Sequence, residues 1–186
     1  MQGDKRKVPM SNPYPDEWRS LGGFDYLSAL SLIRPLNTVR KRLGEDGDYI
    51  LQHDFDCRIV IDGEERVLTA PRGLITDLTS VPIPFRIFVG RVGPWLEAAI
   101  LHDYLYVAWR FVEGRGVRPR DRLFADRVML LAMEAAGVGF VRRHAIYLSL
   151  RLFGARGYAT EDSPVFADLG DPALARPLVI PTELER

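Results

Sequence analysis

The chain has 186 residues, a length that suits one domain with short extensions, and 47% of them are apolar, enough for a sizeable core. Its 25 Lys and Arg residues balance 25 Asp and Glu, so no global charge points to nucleic acid or an anionic membrane as partner. The single cysteine, Cys57, excludes an internal disulfide and a Cys-rich zinc site, and reads as a small buried hydrophobe in a reducing compartment.

Residues 1–20 are polar and carry Pro9, Pro13 and Pro15, which predicts a flexible or extended N-terminal arm; no apolar run follows the charged start, so it does not read as a signal peptide. No uninterrupted apolar run reaches the roughly 18 residues of a membrane span. One domain is expected over 21–158. Residues 27–32 predict a short helix ended by Pro35. From 48 to 70 the apolar period falls to two, and 49–51, 58–61 and 66–69 read as strands of an antiparallel meander. Asp62-Gly63 between the last two is a hairpin signal, because both residues tolerate positive φ; Glu64 and Glu65 read as lengthening that turn.

Pro71-Arg72-Gly73 reverses the chain, and Thr76 to Pro82 predicts a rigid loop dense in backbone-capping side chains. Helices are expected from near Pro94 to near Phe111, from Pro119 to Ala136 with a stop at Gly137, and from Phe140 to Phe153 with a stop at Gly154. Strands first and helices after predict an α+β fold, a small antiparallel β-meander followed by a three-helix layer. The tail, 159–186, holds Pro164, Pro172, Pro177 and Pro181 and reads as an extended arm that wraps this domain or a neighbouring subunit.

The first predicted helix is apolar nearly all round, so it is a buried one. His102 and Asp103 stand in its middle, and a buried carboxylate must pair, stay protonated or bind a cation. Leu123, Asp126, Leu130 and Met133 share one face of the second helix, so Asp126 interrupts an apolar stripe. Antiparallel packing of two helices joined by a short loop would bring Asp126 toward His102 and Asp103. Asp77, in the loop before the first helix, is the fourth member.

Two readings of this cluster stay open. Asp77, His102, Asp103 and Asp126 suit a divalent metal, Mg²⁺, Mn²⁺ or Zn²⁺, that activates water, or His102 or a carboxylate serves as general acid or base. Alternatively Asp77 caps backbone amides, Asp126 pairs with an arginine among Arg122, Arg142, Arg143 and Arg151, and His102 donates to a carbonyl. His53 and His144 read as surface residues, and Tyr104 and Tyr106 as packed rings with hydroxyls reaching polar neighbours. Ser80 has no adjacent base and no Gly-x-Ser-x-Gly elbow. Arg142, Arg143, Arg151 and Arg156 read as a solvated or salt-bridged face rather than a nucleic-acid site.

The segments Pro71-Arg72-Gly73-Leu74-Ile75-Thr76-Asp77-Leu78-Thr79-Ser80-Val81-Pro82, Ala98-Ala99-Ile100-Leu101-His102-Asp103-Tyr104-Leu105-Tyr106, Ala125-Asp126 with Met133, and Arg151-Leu152-Phe153-Gly154 resemble, in that order, a family of uncharacterised phage and prophage proteins, over roughly 48–158. By position the resemblance places the family's polar motif residues on Asp77, Ser80, His102, Asp103 and Asp126. It implies a phage-type role in virion assembly, tail function or host-envelope interaction; taken with the acidic cluster, the expectation is an accessory protein with a hydrolase-like site for peptidoglycan or phosphoesters, or a non-catalytic virion, tail or assembly component. The implied location is the host cytoplasm during assembly or the virion, and the implied partners are phage structural proteins or further copies joined through the terminal arms. The chain also bears a looser likeness to metal-dependent phosphohydrolases with a His-Asp pair on a helix, but those need a second histidine on an earlier helix and only His53 precedes the pair.

Overall fold

The computed structural model describes residues 11–34, 49–76, 93–160 and 166–170. The architecture is α+β. Among the described residues six strands form two three-stranded antiparallel sheets: β1 (Leu21–Tyr26), β4 (Phe55–Ile61) and β5 (Glu64–Ala70) in the order β1-β4-β5, and β2 (Leu32–Ile33), β3 (Tyr49–Leu51) and β6 (Ile75–Thr76) in the order β2-β3-β6. Helices α1 (Leu96–Val107), α2 (Pro119–Ala135), α3 (Phe140–Phe153) and the short α4 (Ala155–Ala159) follow, with a 3₁₀ turn, Ala108–Phe111, prolonging α1.

The β4–β5 hairpin forms as its sequence dictates. Asp62 and Gly63 hold φ of 51° and 87°, the left-handed pair that a two-residue turn requires, and Ile61 pairs directly with Glu64. Glu64 and Glu65 therefore belong to the strand and do not lengthen the turn. Along β4 the residues Phe55, Cys57, Ile59 and Ile61 are buried and alternate with less buried neighbours, the period-two pattern of a half-buried strand. Cys57 is a core residue as expected, with burial pushing its thiol up to about 12.

Two expectations about the sheet are corrected. The partner on the other side of β4 is β1, and Tyr49–Leu51 joins a separate sheet between β2 and β6, so there is no consecutive meander. The predicted helix over 27–32 is also absent. Leu27 donates its amide to the Asp56 carbonyl at 2.9 Å, Ser28 Oγ accepts the Asp56 amide at 2.8 Å, and Leu32 enters β2. Backbone groups satisfied across to a neighbouring strand are unavailable for helical bonds. Gly22-Gly23 masks β1 in the sequence. The register shifts between Gly22 and Phe24, Gly23 takes φ 53°, and a Cβ there would lie 2.9 Å from Val60 Cγ2, so a glycine bulge is what lets this strand pair.

The three long helices start and stop close to where the punctuation places them, with Pro119 in the first turn of α2 and Gly154 capping α3. α2 is central. It packs on α1, α3 and β1, and Tyr26 donates to the Ala132 carbonyl at 2.9 Å. The main core joins Leu51, Phe55, Ile59, Leu101, Leu105 and Phe124, and a second cluster around Trp95, Met133, Ile146 and Leu150 lies among the helices. In the tail, the part described at 166–170 lies on the domain, where the Ala167 amide donates to the Gly73 carbonyl at 2.8 Å. Among the described residues no helix is long and apolar enough to cross a membrane.

The N-terminal arm is corrected over 11–20, while residues 1–10 lie outside the described residues. Residues 11–20 have no regular structure but are not loose: Tyr14 and Trp18 are buried, and Trp18 packs edge-on against Phe124 at 6.0 Å. The Tyr14 hydroxyl donates to the Leu105 carbonyl at 2.5 Å and accepts the Trp109 amide at 3.1 Å. Those two backbone groups are four residues apart, so the hydroxyl occupies the place of one helical hydrogen bond where α1 tightens into the 3₁₀ turn. Replacing Tyr14 by Phe should cost about 1–3 kcal/mol, because a buried carbonyl and amide lose their shared partner. Chemical denaturation of the two proteins measures it, and equal stabilities would show that the helix closes without the hydroxyl.

Candidate functional site

The expected convergence of α1 and α2 occurs at His102 and Asp126. Asp126 is 0% exposed and accepts three hydrogen bonds: from Tyr106 Oη at 2.6 Å and His102 Nε2 at 3.0 Å on Oδ1, and from an Arg151 terminal guanidinium nitrogen at 2.7 Å on Oδ2. His102 and Tyr106 stand one turn apart on α1, their ring centroids 3.9 Å from each other, so both reach the same carboxylate. Arg151 arrives from the last turn of α3. The site thus pins three helices to one buried oxygen pair.

Burial alone would raise the Asp126 carboxyl. The hydrogen bonds from His102, the Tyr106 hydroxyl and the Arg151 guanidinium outweigh it and hold Asp126 below the ordinary carboxylate range. Burial and the adjacent Asp126 charge push the Tyr106 hydroxyl well above its ordinary value, so it stays protonated and donates. An ionised carboxylate only accepts, so His102 must carry a proton on Nε2, which leaves Nδ1 as the basic nitrogen of the neutral ring. The His102 side chain keeps 6% of its surface exposed.

Asp103 turns elsewhere. Thr76 Oγ1, at the end of β6, donates to its Oδ2 at 2.5 Å. The strand that leads into the predicted loop is therefore bonded to α1 one residue beyond His102. Asp77 and Ser80 lie outside the described residues. Among the described residues, no group of three or more His, Cys, Asp or Glu side chains is placed to hold a metal ion. The chemistry of the donors explains this at Asp126: both of its oxygens already accept, one from a cation, and His102 Nε2 presents a proton instead of a lone pair.

Three features of the site escape a reading by spacing. Tyr106 was expected only to reach some polar neighbour, and Arg151 was one of four arginines offered to Asp126. Gly154, expected only as a helix stop, is a spacing residue: a Cβ there would lie 2.6 Å from both Tyr106 Oη and the Leu150 carbonyl oxygen. A second buried ion pair, Arg115 with Asp121 at 2.7 and 2.8 Å, also went unread, because Arg115 sits in a Gly-flanked loop that signals only a turn. His53 is exposed, and His144 Nδ1 lies 2.9 Å from the Phe140 carbonyl oxygen.

An α+β protein with a buried His–Asp–Arg–Tyr network between its helices is the class that this geometry defines. The family model for DUF1353, described as a protein of unknown function, matches residues 51–150, more than half of the chain, and the chain belongs to that family. The matched span holds Thr76, His102, Asp103, Tyr106 and Asp126, and ends one residue before Arg151. No curated protein and no solved structure matches the chain.

Two outcomes are expected of the network. Asp126→Asn should lower stability at neutral pH by about 1–3 kcal/mol, since an amide cannot accept from all three donors and leaves the partly exposed Arg151 without its counter-charge. Because the native carboxyl is held low, its contribution is complete above the ordinary carboxylate value of roughly 4 and is lost as pH falls through its own lower value. Urea unfolding against pH should therefore show the gap between wild type and Asp126→Asn persisting from pH 7 down to about 4 and narrowing below; a gap that closes already near neutrality would contradict the carboxylate reading. Gly154→Ala should cost about 1–3 kcal/mol by overpacking, and part of that loss should return in the Tyr106→Phe background, where the hydroxyl is gone.

Proposed function

We propose that this DUF1353 protein is a phage-type accessory protein with a hydrolase-like site in which His102 is the general acid or base and Asp126 orients it. The observation that carries this reading is the 3.0 Å contact between His102 Nε2 and a fully buried carboxylate, which fixes the ring and its tautomer and directs basicity to Nδ1. The slight exposure of the ring suits withdrawal of a proton from water rather than direct contact with a large substrate. Asp126 would stabilise the imidazolium that forms, an effect moderated by Arg151, which already balances its charge. Asp103 and, through the family resemblance alone, Asp77 and Ser80 are the further residues proposed for catalysis.

The proposed chemistry runs through the imidazole. Mg²⁺, Mn²⁺ or Zn²⁺ at Asp126 would have to displace the Arg151 guanidinium, and no step is assigned to a metal. Peptidoglycan and phosphoesters are the substrate classes that a phage context favours, with action in the host cytoplasm during assembly or from the virion.

One observation favours a second reading, a non-catalytic virion, tail or assembly component. The three donors on Asp126 form a closed network, which is what a structural clamp between helices requires. Purified protein assayed for peptidoglycan solubilisation and for phosphodiester hydrolysis separates the two. On the catalytic reading, His102→Gln lowers turnover by about 10²-fold or more while its circular dichroism and melting stay close to wild type. Wild-type protein inert on both substrate classes, or a His102→Gln variant that loses stability and no activity, would leave the structural clamp as the role of the network.

A further inference from the structure

Segment 11–20 is held on the helices at three points. The Arg115 guanidinium lies over the Tyr14 ring, 5.0 Å from its centroid, and donates to Asp16 at 3.2 Å. Trp18 packs between Phe124 and the Arg127 guanidinium, which is 5.3 Å from its ring, and the Trp18 carbonyl accepts from Arg120 at 2.9 Å. The Asp62 carboxylate accepts the Arg19 and Ser20 amides at 2.9 and 2.7 Å. Among the described residues no backbone-to-backbone hydrogen bond reaches 11–19. The segment can therefore leave its seat without breaking a sheet or a helix, and an element held in that way opens at lower free energy than the core it covers.

Its seat is the end of α1 that carries the buried network. The Tyr14 hydroxyl bridges the Leu105 carbonyl and the Trp109 amide, and Tyr106, the second-last residue of α1, stands between them. Trp109 Nε1 donates to the carbonyls of Tyr106 at 3.0 Å and Tyr158 at 3.1 Å, and the Tyr158 ring meets the Tyr106 ring edge-on at 5.2 Å. One hydroxyl from the segment thus closes the turn, and the closed turn holds the ring that donates to Asp126 and lies against His102. Helices open from their ends, so Tyr106 is the first member of the network that a fraying α1 would withdraw. His102 lies one turn deeper and shares the same carboxylate oxygen, so its hydrogen bond feels the loss of Tyr106.

We propose that segment 11–20 is a latch on the His102–Asp126 network. Seated, it keeps α1 closed through Tyr106 and holds the imidazole in one orientation and tautomer. Released, it lets the last turn open, Tyr106 leave Asp126 and His102 reorient. The device acts on the network itself, so it holds for a catalytic His102 and for a structural clamp alike, and its test does not read activity.

Hydrogen exchange of the His102 Nε2 proton, followed by nitrogen-edited NMR on the full chain, provides that test. In the wild type this proton should exchange far more slowly than those of the exposed His53 ring. Tyr14→Phe keeps the ring and removes the bridge to α1, and should speed exchange at His102 by about tenfold or more. Trp18→Leu touches neither α1 nor the network and weakens only the seat on α2, yet it should speed the same proton, because a latch opens as a unit. The control is Ile59→Val or Ile59→Ala in the middle of β4, whichever matches Tyr14→Phe in its urea midpoint; it should leave the His102 proton slower than either latch variant does. A His102 proton as fast as that of His53 in the wild type overturns the proposal, since the network would then be open with the segment seated. So does exchange unchanged in Tyr14→Phe, or raised no further than in the matched β4 variant. Acceleration in Tyr14→Phe with none in Trp18→Leu would make Tyr14 a fixed staple at the helix end, and the latch would fall.

Discussion

The helical half of this protein depends on one fully buried carboxylate. Asp126 brings a negative charge into the interface between α1, α2 and α3, where an isolated charge would cost several kcal/mol, and three donors from two other helices make it tolerable. The consequence is geometric as well as energetic. Hydrophobic side chains fix helices against one another only approximately, whereas a carboxylate that must meet a phenol, an imidazole and a guanidinium allows one rotation and one axial position for each helix. Gly154 belongs to the same constraint, because the Tyr106 hydroxyl reaches Asp126 only where the chain beside it carries no side chain.

The network and the strands meet through Asp103. Helix α1 faces α2 with His102 and Tyr106, and with the next residue accepts Thr76 from β6. A hundred degrees of helical rotation thus separates the residue that locks the helices from the residue that ties them to the end of the second sheet. At the other end of α1 the Tyr14 hydroxyl replaces a helical hydrogen bond between Leu105 and Trp109. The core helix is held by polar groups at its middle and its end, and by apolar contacts elsewhere.

Much of this was legible before any coordinates. Pro119, Gly137 and Gly154 bound the long helices because they are local devices, acting through their own φ and their own missing amide or Cβ. Asp62-Gly63 fixed the hairpin for the same reason. The approach of Asp126 to His102 followed from an acid interrupting an apolar stripe and from the short connection between two helices. The failures were of a different kind. Residues 27–32 contain enough leucine to suggest a helix, yet their backbone groups are taken by Asp56 on a neighbouring strand. Strand β1 hid behind Gly22-Gly23, whose bulge has meaning only opposite Val60. Tyr14 and Trp18 look like members of a polar arm because the surface they fill is made by residues about ninety to a hundred and ten positions further on, such as Leu105 and Phe124.

Local chemistry accounts for the α+β class, the ends of its helices, the hairpin turn, the burial of Cys57 and α1, and the need for His102 and Asp126 to find partners. Each of these follows from the residue and its near neighbours: backbone torsion preference, apolar period, or the cost of placing charge in a greasy helix. Contacts between segments far apart in the chain settle that β1 and not β3 flanks β4, that Arg151 rather than Arg122, Arg142 or Arg143 neutralises Asp126, and that Asp103 faces Thr76. Those are choices among chemically equivalent partners, and distance in the folded chain makes them, since a hydrogen bond or ion pair is lost within about an ångström of misplacement.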